Sequence, residues 1–73
     1  MTQTEMVLAY LRQFGTITPY DAFQDLGCMR LSARVKDLRD AGHAVGTRMK
    51  TRKNRYGNPV TYAEYFLKEE PHE

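Results

Sequence analysis

The sequence predicts an α+β fold in which three short helices are followed by a two-stranded antiparallel hairpin. Apolar residues recur every three or four positions through the first 41 residues, which is the period of helices with one buried face. Beyond Gly42 the period changes to two, as expected for strands. Turn-forming residues at 54–59 then separate two strand-like segments, which is typical of a hairpin.

The first helix is predicted over residues 3–14. Thr2 and Glu5 have the spacing of a capping box, in which each side chain accepts a hydrogen bond from the backbone of the other residue. Gly15 supplies the left-handed residue that commonly ends a helix. The apolar stripe of this helix consists of Val7, Leu8, Leu11 and Phe14.

The second helix is predicted to follow a short link through Ile17. Thr18 is a suitable N-cap, and Pro19 suits the first helical position. Asp21 favours a helix N-terminus electrostatically, and Gly27 is expected to end the helix with a positive φ. Its expected apolar positions are Ala22, Phe23 and Leu26.

The third helix is predicted over residues 30–41. Leu31, Val35 and Leu38 are spaced by four and three residues, so they point into the core. The opposite face is predicted to be mostly cationic with short side chains. It carries Ser32, Lys36 and Arg39, with Ala33 beside them and with Arg30 and Arg34 flanking the apolar stripe.

The hairpin is predicted from two strand-like segments joined by a basic turn at 50–57. Val45, Thr47 and Met49 alternate with polar residues or glycine, as in a half-buried strand, and residues 60–67 are rich in aromatic and β-branched residues. We expect one domain over residues 1–67 and a charged tail over 68–73. The predicted core consists of Leu8, Leu11, Phe14, Phe23, Leu26, Leu31, Val35, Leu38, Val45 and Phe66.

Charge is distributed unevenly along a chain whose net charge is only +2. Residues 1–29 carry one basic and three acidic side chains, residues 30–55 carry nine basic and two acidic, and residues 56–73 carry one basic and four acidic. A strongly basic middle third predicts one positive surface that binds a polyanion.

Composition argues against several function classes. A domain of 73 residues buries little surface for a walled-off active site, so we expect no catalytic residue and no cofactor. One cysteine, Cys28, and two distant histidines, His43 and His72, do not make a closed zinc site. No apolar run approaches the roughly 20 residues of a membrane span, and no signal pattern is present, so we expect a cytoplasmic protein without a membrane partner.

Three helices, a tight turn before the third and a hairpin form the layout of a winged helix-turn-helix. A helix fits the major groove of B-DNA, where every base pair presents a distinct pattern of donors and acceptors. We therefore expect helix 30–41 to lie in the major groove and the basic turn at 50–57 to lie on the backbone or in the minor groove. The predicted DNA-binding residues are Arg30, Ser32, Ala33, Arg34, Lys36, Arg39, Arg48, Lys50, Arg52, Lys53, Asn54 and Arg55.

Several segments form a recognisable pattern: residues 15–18, 25–27 and 30–35, then Leu38, Arg39 and Gly42, and the basic turn at 53–57. In these segments the sequence resembles the small winged helix-turn-helix domains of bacteriophages and prophages. The resemblance covers about residues 3–67. It implies binding of double-stranded DNA in regulation or site-specific recombination.

The interpretation is thus a non-enzymatic, sequence-preferring protein that binds double-stranded DNA in a bacterial host cell. It would act as a transcriptional regulator or as an accessory factor in excision and integration. Because one module has a small footprint, a homodimer or a cooperative assembly on DNA is expected. The alternative is a protein-interaction module that binds and inhibits host machinery, with a host or phage protein as its partner.

Overall fold

A computed structural model of the chain describes residues 1–68. The remaining part of the predicted tail, including His72, lies outside the described residues. The elements are α1 (Gln3–Phe14), β1 (Thr16–Ile17), α2 (Pro19–Leu26), α3 (Leu31–Asp40), β2 (Val45–Lys53) and β3 (Pro59–Leu67). The strands form one antiparallel sheet in the order β1-β3-β2. The predicted α+β class, with three helices before a hairpin, is confirmed.

The helix boundaries follow from the caps that the sequence predicts. The hydroxyl of Thr2 accepts from the Glu5 amide at 3.1 Å, and the Glu5 carboxylate accepts from the Thr2 amide at 2.8 Å. These bonds, mainly the one from the Thr2 backbone, lower the pKa of Glu5. Thr18 and Asp21 form the same reciprocal pair at the start of α2, and Gly27 ends α2 at a φ of 65°.

The strand β1 differs from the sequence prediction, which has only a short link through Ile17 at this point. Thr16 pairs with Phe66, and Ile17 pairs with Tyr65 on β3. Two residues are too short to show an alternating pattern, and their pairing partners lie almost at the other end of the chain. Ile17 is fully buried, so this short segment is part of the core.

The core is built mainly from small and medium side chains, with fully buried members from every element except β3, whose Tyr65 and Leu67 pack against it partly buried. The helical residues Leu11, Leu31, Val35 and Leu38 and the strand residue Val45 are buried as predicted, and Leu8 and Leu26 pack against them partly buried. The other members are Val7, Ile17, Ala22 and Cys28.

Two predicted core residues are in fact exposed. Phe14 is 61% exposed and packs against Tyr10 with the ring centroids 4.6 Å apart, because it lies in the last turn of α1. Phe23 is 57% exposed, since the short helix α2 turns Ala22 and Leu26 toward the core and leaves the position next to Ala22 in solvent. Their assignment to the core was wrong.

The sheet has an inner face, which packs on the core, and an outer face on the opposite side. Val45 lies opposite Leu67, and both occupy the inner face. Phe66 lies opposite Gly46, on the outer face, so its predicted place in the core was wrong. A Cβ at position 46 would collide with the Phe66 ring and approach Lys68 Cε to 2.9 Å, which explains why this strand position holds a glycine.

The hairpin is longer than predicted and projects beyond the helices. Its strands reach Lys53 and Pro59, so the connecting loop is only residues 54–58, and Arg52 and Lys53 lie on a strand rather than on a turn. From Thr47 onward β2 is exposed, and Met49 is 64% exposed, so the predicted half-burial of this strand was wrong. The molecule is accordingly elongated, measuring 43 × 25 × 20 Å. We call the hairpin β2–β3 the wing.

Candidate nucleic-acid interface

The exposed face of α3 carries few charges that are free of partners. Ser32 and Lys36 are exposed, and Ala33 is half-buried. Lys36 Nζ lies 3.1 Å from the carboxylate of Asp40, one turn later. Both side chains are mostly in solvent, and exposed pairs of this kind are weak enough to exchange for another partner. Small side chains next to one exchangeable cation suit close approach to base edges.

Arg34 faces α1 rather than the exposed side of α3. Its Nε lies 3.2 Å from Asp37 Oδ2 in an ion pair that lacks hydrogen-bond geometry. The hydroxyl of Thr4 donates to the same Asp37 oxygen at 3.2 Å, which joins α1 to α3. A second polar link joins α1 to α2, where the Tyr10 hydroxyl donates to Asp25 at 2.7 Å; this bond raises the pKa of Tyr10 to about 12.

Arg39 joins α3 to the wing. Its Nε donates to the backbone carbonyl of Val45 at 3.0 Å, and an η nitrogen donates to the hydroxyl of Thr47 at 2.9 Å. Both acceptors belong to the first residues of β2. The guanidinium therefore holds the helix against the base of the wing. This role has no signal in the sequence, because it depends on the fold of the intervening turn.

The pairing register assigns the basic residues of β2 to the two opposite faces of the sheet. Thr47 contacts α3 through Arg39, and Met49, Thr51 and Lys53 share its face because strand side chains alternate. Arg48, Lys50 and Arg52 therefore occupy the outer face. The expected single positive surface is thus divided, and only Lys53 of these four cations lies on the side of α3.

Contacts on the outer face agree with this assignment. Arg48 lies 3.2 Å from Glu64 and stacks over the Phe66 ring, with its guanidinium carbon 4.6 Å from the centroid. Lys50 Nζ lies 3.7 Å from the same Glu64 oxygen. Arg52 forms no ion pair within residues 1–68 and lies beside Tyr62 in a shallow depression next to the start of α2.

The loop at the tip of the wing is built by Asn54. Its side-chain oxygen accepts from the amides of Tyr56 and Asn58 at 2.9 and 3.0 Å. DNA binding by Asn54 stays a prediction, and its side-chain oxygen is bonded within the loop. Arg55 is exposed at the tip without an ion pair in the described part of the chain, as is Arg30 at the start of α3. Tyr56, next to Arg55 at the tip of the wing, is 83% exposed.

Other site types find little support among residues 1–68. These residues contain no group of three or more His, Cys, Asp or Glu side chains placed to hold a metal ion. Cys28 is buried and packs as a small apolar residue. None of the helices in this part of the chain is long and apolar enough to cross a membrane.

The element order, with a short strand after α1 and a wing after α3, defines a winged helix-turn-helix protein in which α3 is the exposed second helix of the motif. This class of domain indicates DNA binding. The chain matches the sequence model of the winged helix-turn-helix domain over residues 2–70, and it belongs to that family. No match was found among curated proteins or among solved structures.

Proposed function

We propose that the chain binds double-stranded DNA with sequence preference, with α3 in the major groove and the inner side and tip of the wing on the backbone or in the minor groove. One observation supports this most strongly. Arg39 holds α3, whose exposed face carries small side chains, at the base of a projecting wing. The inner side and the tip of this wing carry Lys53 and Arg55, and both are free of ion pairs within residues 1–68.

The two parts of this surface would contribute differently. The α3 face carries one exchangeable cation, so its contribution is discrimination between bases by Ser32 and Lys36. Lys53 and Arg55 are long side chains on the wing, where phosphate is the most accessible partner. Phosphate contacts supply affinity for every sequence and make binding depend on salt.

The test is a titration of three variants on a duplex selected from a random pool and on random DNA, at several salt concentrations. Lys36→Ala should cost about 1–3 kcal/mol on the selected duplex and little on random DNA. The double variant Lys53→Ala/Arg55→Ala should weaken binding to all duplexes and flatten the slope of log K against log salt by up to about 2. Arg12→Ala, on the acidic part of the chain, should bind like the parent.

Two outcomes would contradict the proposal. If the wing variant lost only sequence preference while Lys36→Ala lost only general affinity, the roles of helix and wing would be reversed. If neither variant changed the binding of any duplex, this surface would not bind DNA.

The resemblance to phage and prophage domains supports a proposed biological role. We place the protein in the cytoplasm of a bacterial host, where the DNA is, as a transcriptional regulator or an accessory factor in excision and integration. The proposal contains no catalytic step. Two copies on adjacent half-sites would enlarge the footprint of one small module.

One observation favours the alternative of a protein-interaction module. Several large apolar side chains of the N-terminal half are exposed, and protein interfaces are enriched in aromatic residues and methionine. They are Phe14, Tyr20, Phe23 and Met29. Retention of DNA binding by a Phe14→Ser/Phe23→Ser variant, together with loss of a host protein captured by the parent, would support this second role.

A further inference from the structure

The outer face of the wing carries a row of cations that the proposed α3 interface does not use. Arg48, Lys50 and Arg52 occupy alternate positions of β2 and therefore follow one another at about 7 Å. Lys68 extends the row at the base of the wing, since its Cε lies close to the outer side of Gly46. We call these four residues the outer row.

The net charge of this face is positive despite two acidic side chains among residues 1–68. Glu64 is the only carboxylate among the outer-face residues of the two strands, and its side chain is 15% exposed because Arg48 and Lys50 cover it. Asp21 at the start of α2 borders the depression in which Arg52 lies. Four cations therefore face solvent against two carboxylates, one of them shielded. A surface of this kind attracts a polyanion.

The outer row points away from the DNA that α3 would hold. Arg39 fastens α3 to Thr47 on the inner face, and the outer row begins at the neighbouring residue on the opposite face. A duplex lying on α3 and on the inner side of the wing would leave these cations without phosphate partners. The face is therefore free to bind a different molecule.

The pattern favours nucleic acid over an acidic protein. The stretch from Arg48 to Arg52 is about 13 Å long, which corresponds to about four steps of rise along one strand of B-DNA. The centre of the row consists of charged side chains, whereas the centres of protein interfaces are depleted of charge. A line of regularly spaced cations matches a line of phosphates.

We infer that the outer row binds the backbone of a second DNA duplex, so that one copy of the protein bridges two segments of DNA. This inference rests on the proposed function, because α3 and the inner side of the wing must hold the first segment. It adds a second binding surface of the same chemical class on the opposite side of the wing. Bridging of this kind would bring distant DNA sites together.

The test measures capture of a free labelled duplex by protein bound to an immobilised duplex that is long enough for one copy. The informative variant is Lys50→Gln/Arg52→Gln, because it leaves Arg48 on Glu64 and Phe66 and so preserves the contacts of the outer face. The matched control is Lys53→Gln/Arg55→Gln, which removes two cations from the inner side and the tip. Thermal unfolding of each variant checks that the fold is retained.

The parent should capture the second duplex, and Lys50→Gln/Arg52→Gln should bind the first duplex like the parent but capture the second at least tenfold more weakly. Its salt slope for capture should be flatter by about 2, since two phosphate contacts are lost. Native mass spectrometry should find one protein copy with two duplexes. The control should weaken binding of the first duplex and leave capture per bound protein unchanged.

Three results would overturn the inference. The parent could bind the first duplex and capture no second one, which would assign the outer row to an acidic protein. The outer-row variant could lose affinity for the first duplex as strongly as capture, which would place the row on the same duplex as α3. Complexes could contain two copies whenever they contain two duplexes, which would make bridging a property of a dimer. If the parent bound no duplex at all, the proposed function itself would fail.

Discussion

At the scale of single residues, burial separates side chains that have the same apolar character in the sequence. Leu38 is 2% exposed on the inner face of α3, whereas Phe14 is 61% exposed at the end of α1. Leu38→Ala should lower the free energy of unfolding by about 2–5 kcal/mol, because it leaves a cavity in a close-packed core. Phe14→Ala should change it by only about 0.5 kcal/mol. Urea unfolding of both variants measures the difference.

An equal loss in the two variants would mean that α1 buries Phe14 and that the inner face of α3 is misassigned.

The sequence predicted Leu38 correctly, because its spacing from Leu31 and Val35 is repeated within one helix. It could not predict Phe14 or Phe23, since spacing reports a shared helix face and not how far the neighbouring element extends. The same limit applies to Arg34, Arg39 and Asn54, whose engagement depends on partners brought together only by folding.

At the scale of elements, the relative position of α3 and the wing depends on Arg39. We expect Arg39→Ala to weaken binding to the preferred duplex and to reduce discrimination between duplexes, because α3 and the wing would no longer be held in one geometry. Thr47→Val removes one of the two acceptors while keeping the side-chain volume, so it should produce part of the same loss. The two losses should not add in the double variant, since both remove the same link.

The measurement is a double-mutant cycle on duplex binding, combined with the salt slope of each variant. A slope flattened by about 0.9 in Arg39→Ala, with Thr47→Val binding like the parent, would make Arg39 a phosphate contact instead.

Elements with local signals were predicted well: the capped helices and the alternating strands β2 and β3 were found from sequence. The strand β1 was missed because its only signal is pairing with β3, which is distant in the chain.

At the scale of the whole molecule, stability and binding are located in different parts of the chain. The core lies between the helices and the base of the sheet, and it includes no residue between Thr47 and Ala63. The distal part of the wing, residues 50–62, holds much of the basic charge instead. Residues 50–62 contain Lys50, Arg52, Lys53 and Arg55 and no acidic side chain. A domain arranged in this way can lose the distal part of its wing without losing its core.

Replacing residues 50–62 by Asn-Gly tests this separation. Met49 lies opposite Ala63, so a two-residue turn can join the two strands at that pair in the preferred turn geometry. The net charge would change from +2 to −2, because four cations are removed. We expect the shortened protein to melt within a few degrees of the parent, because the removed residues lie outside the core. Its affinity for every duplex should fall, with a salt slope flatter by up to about 2, because Lys53 and Arg55 are the removed cations that face the duplex on α3. A shortened protein that failed to fold would show that the distal part of the wing contributes to the core. A shortened protein that bound DNA like the parent would place the whole interface on α3.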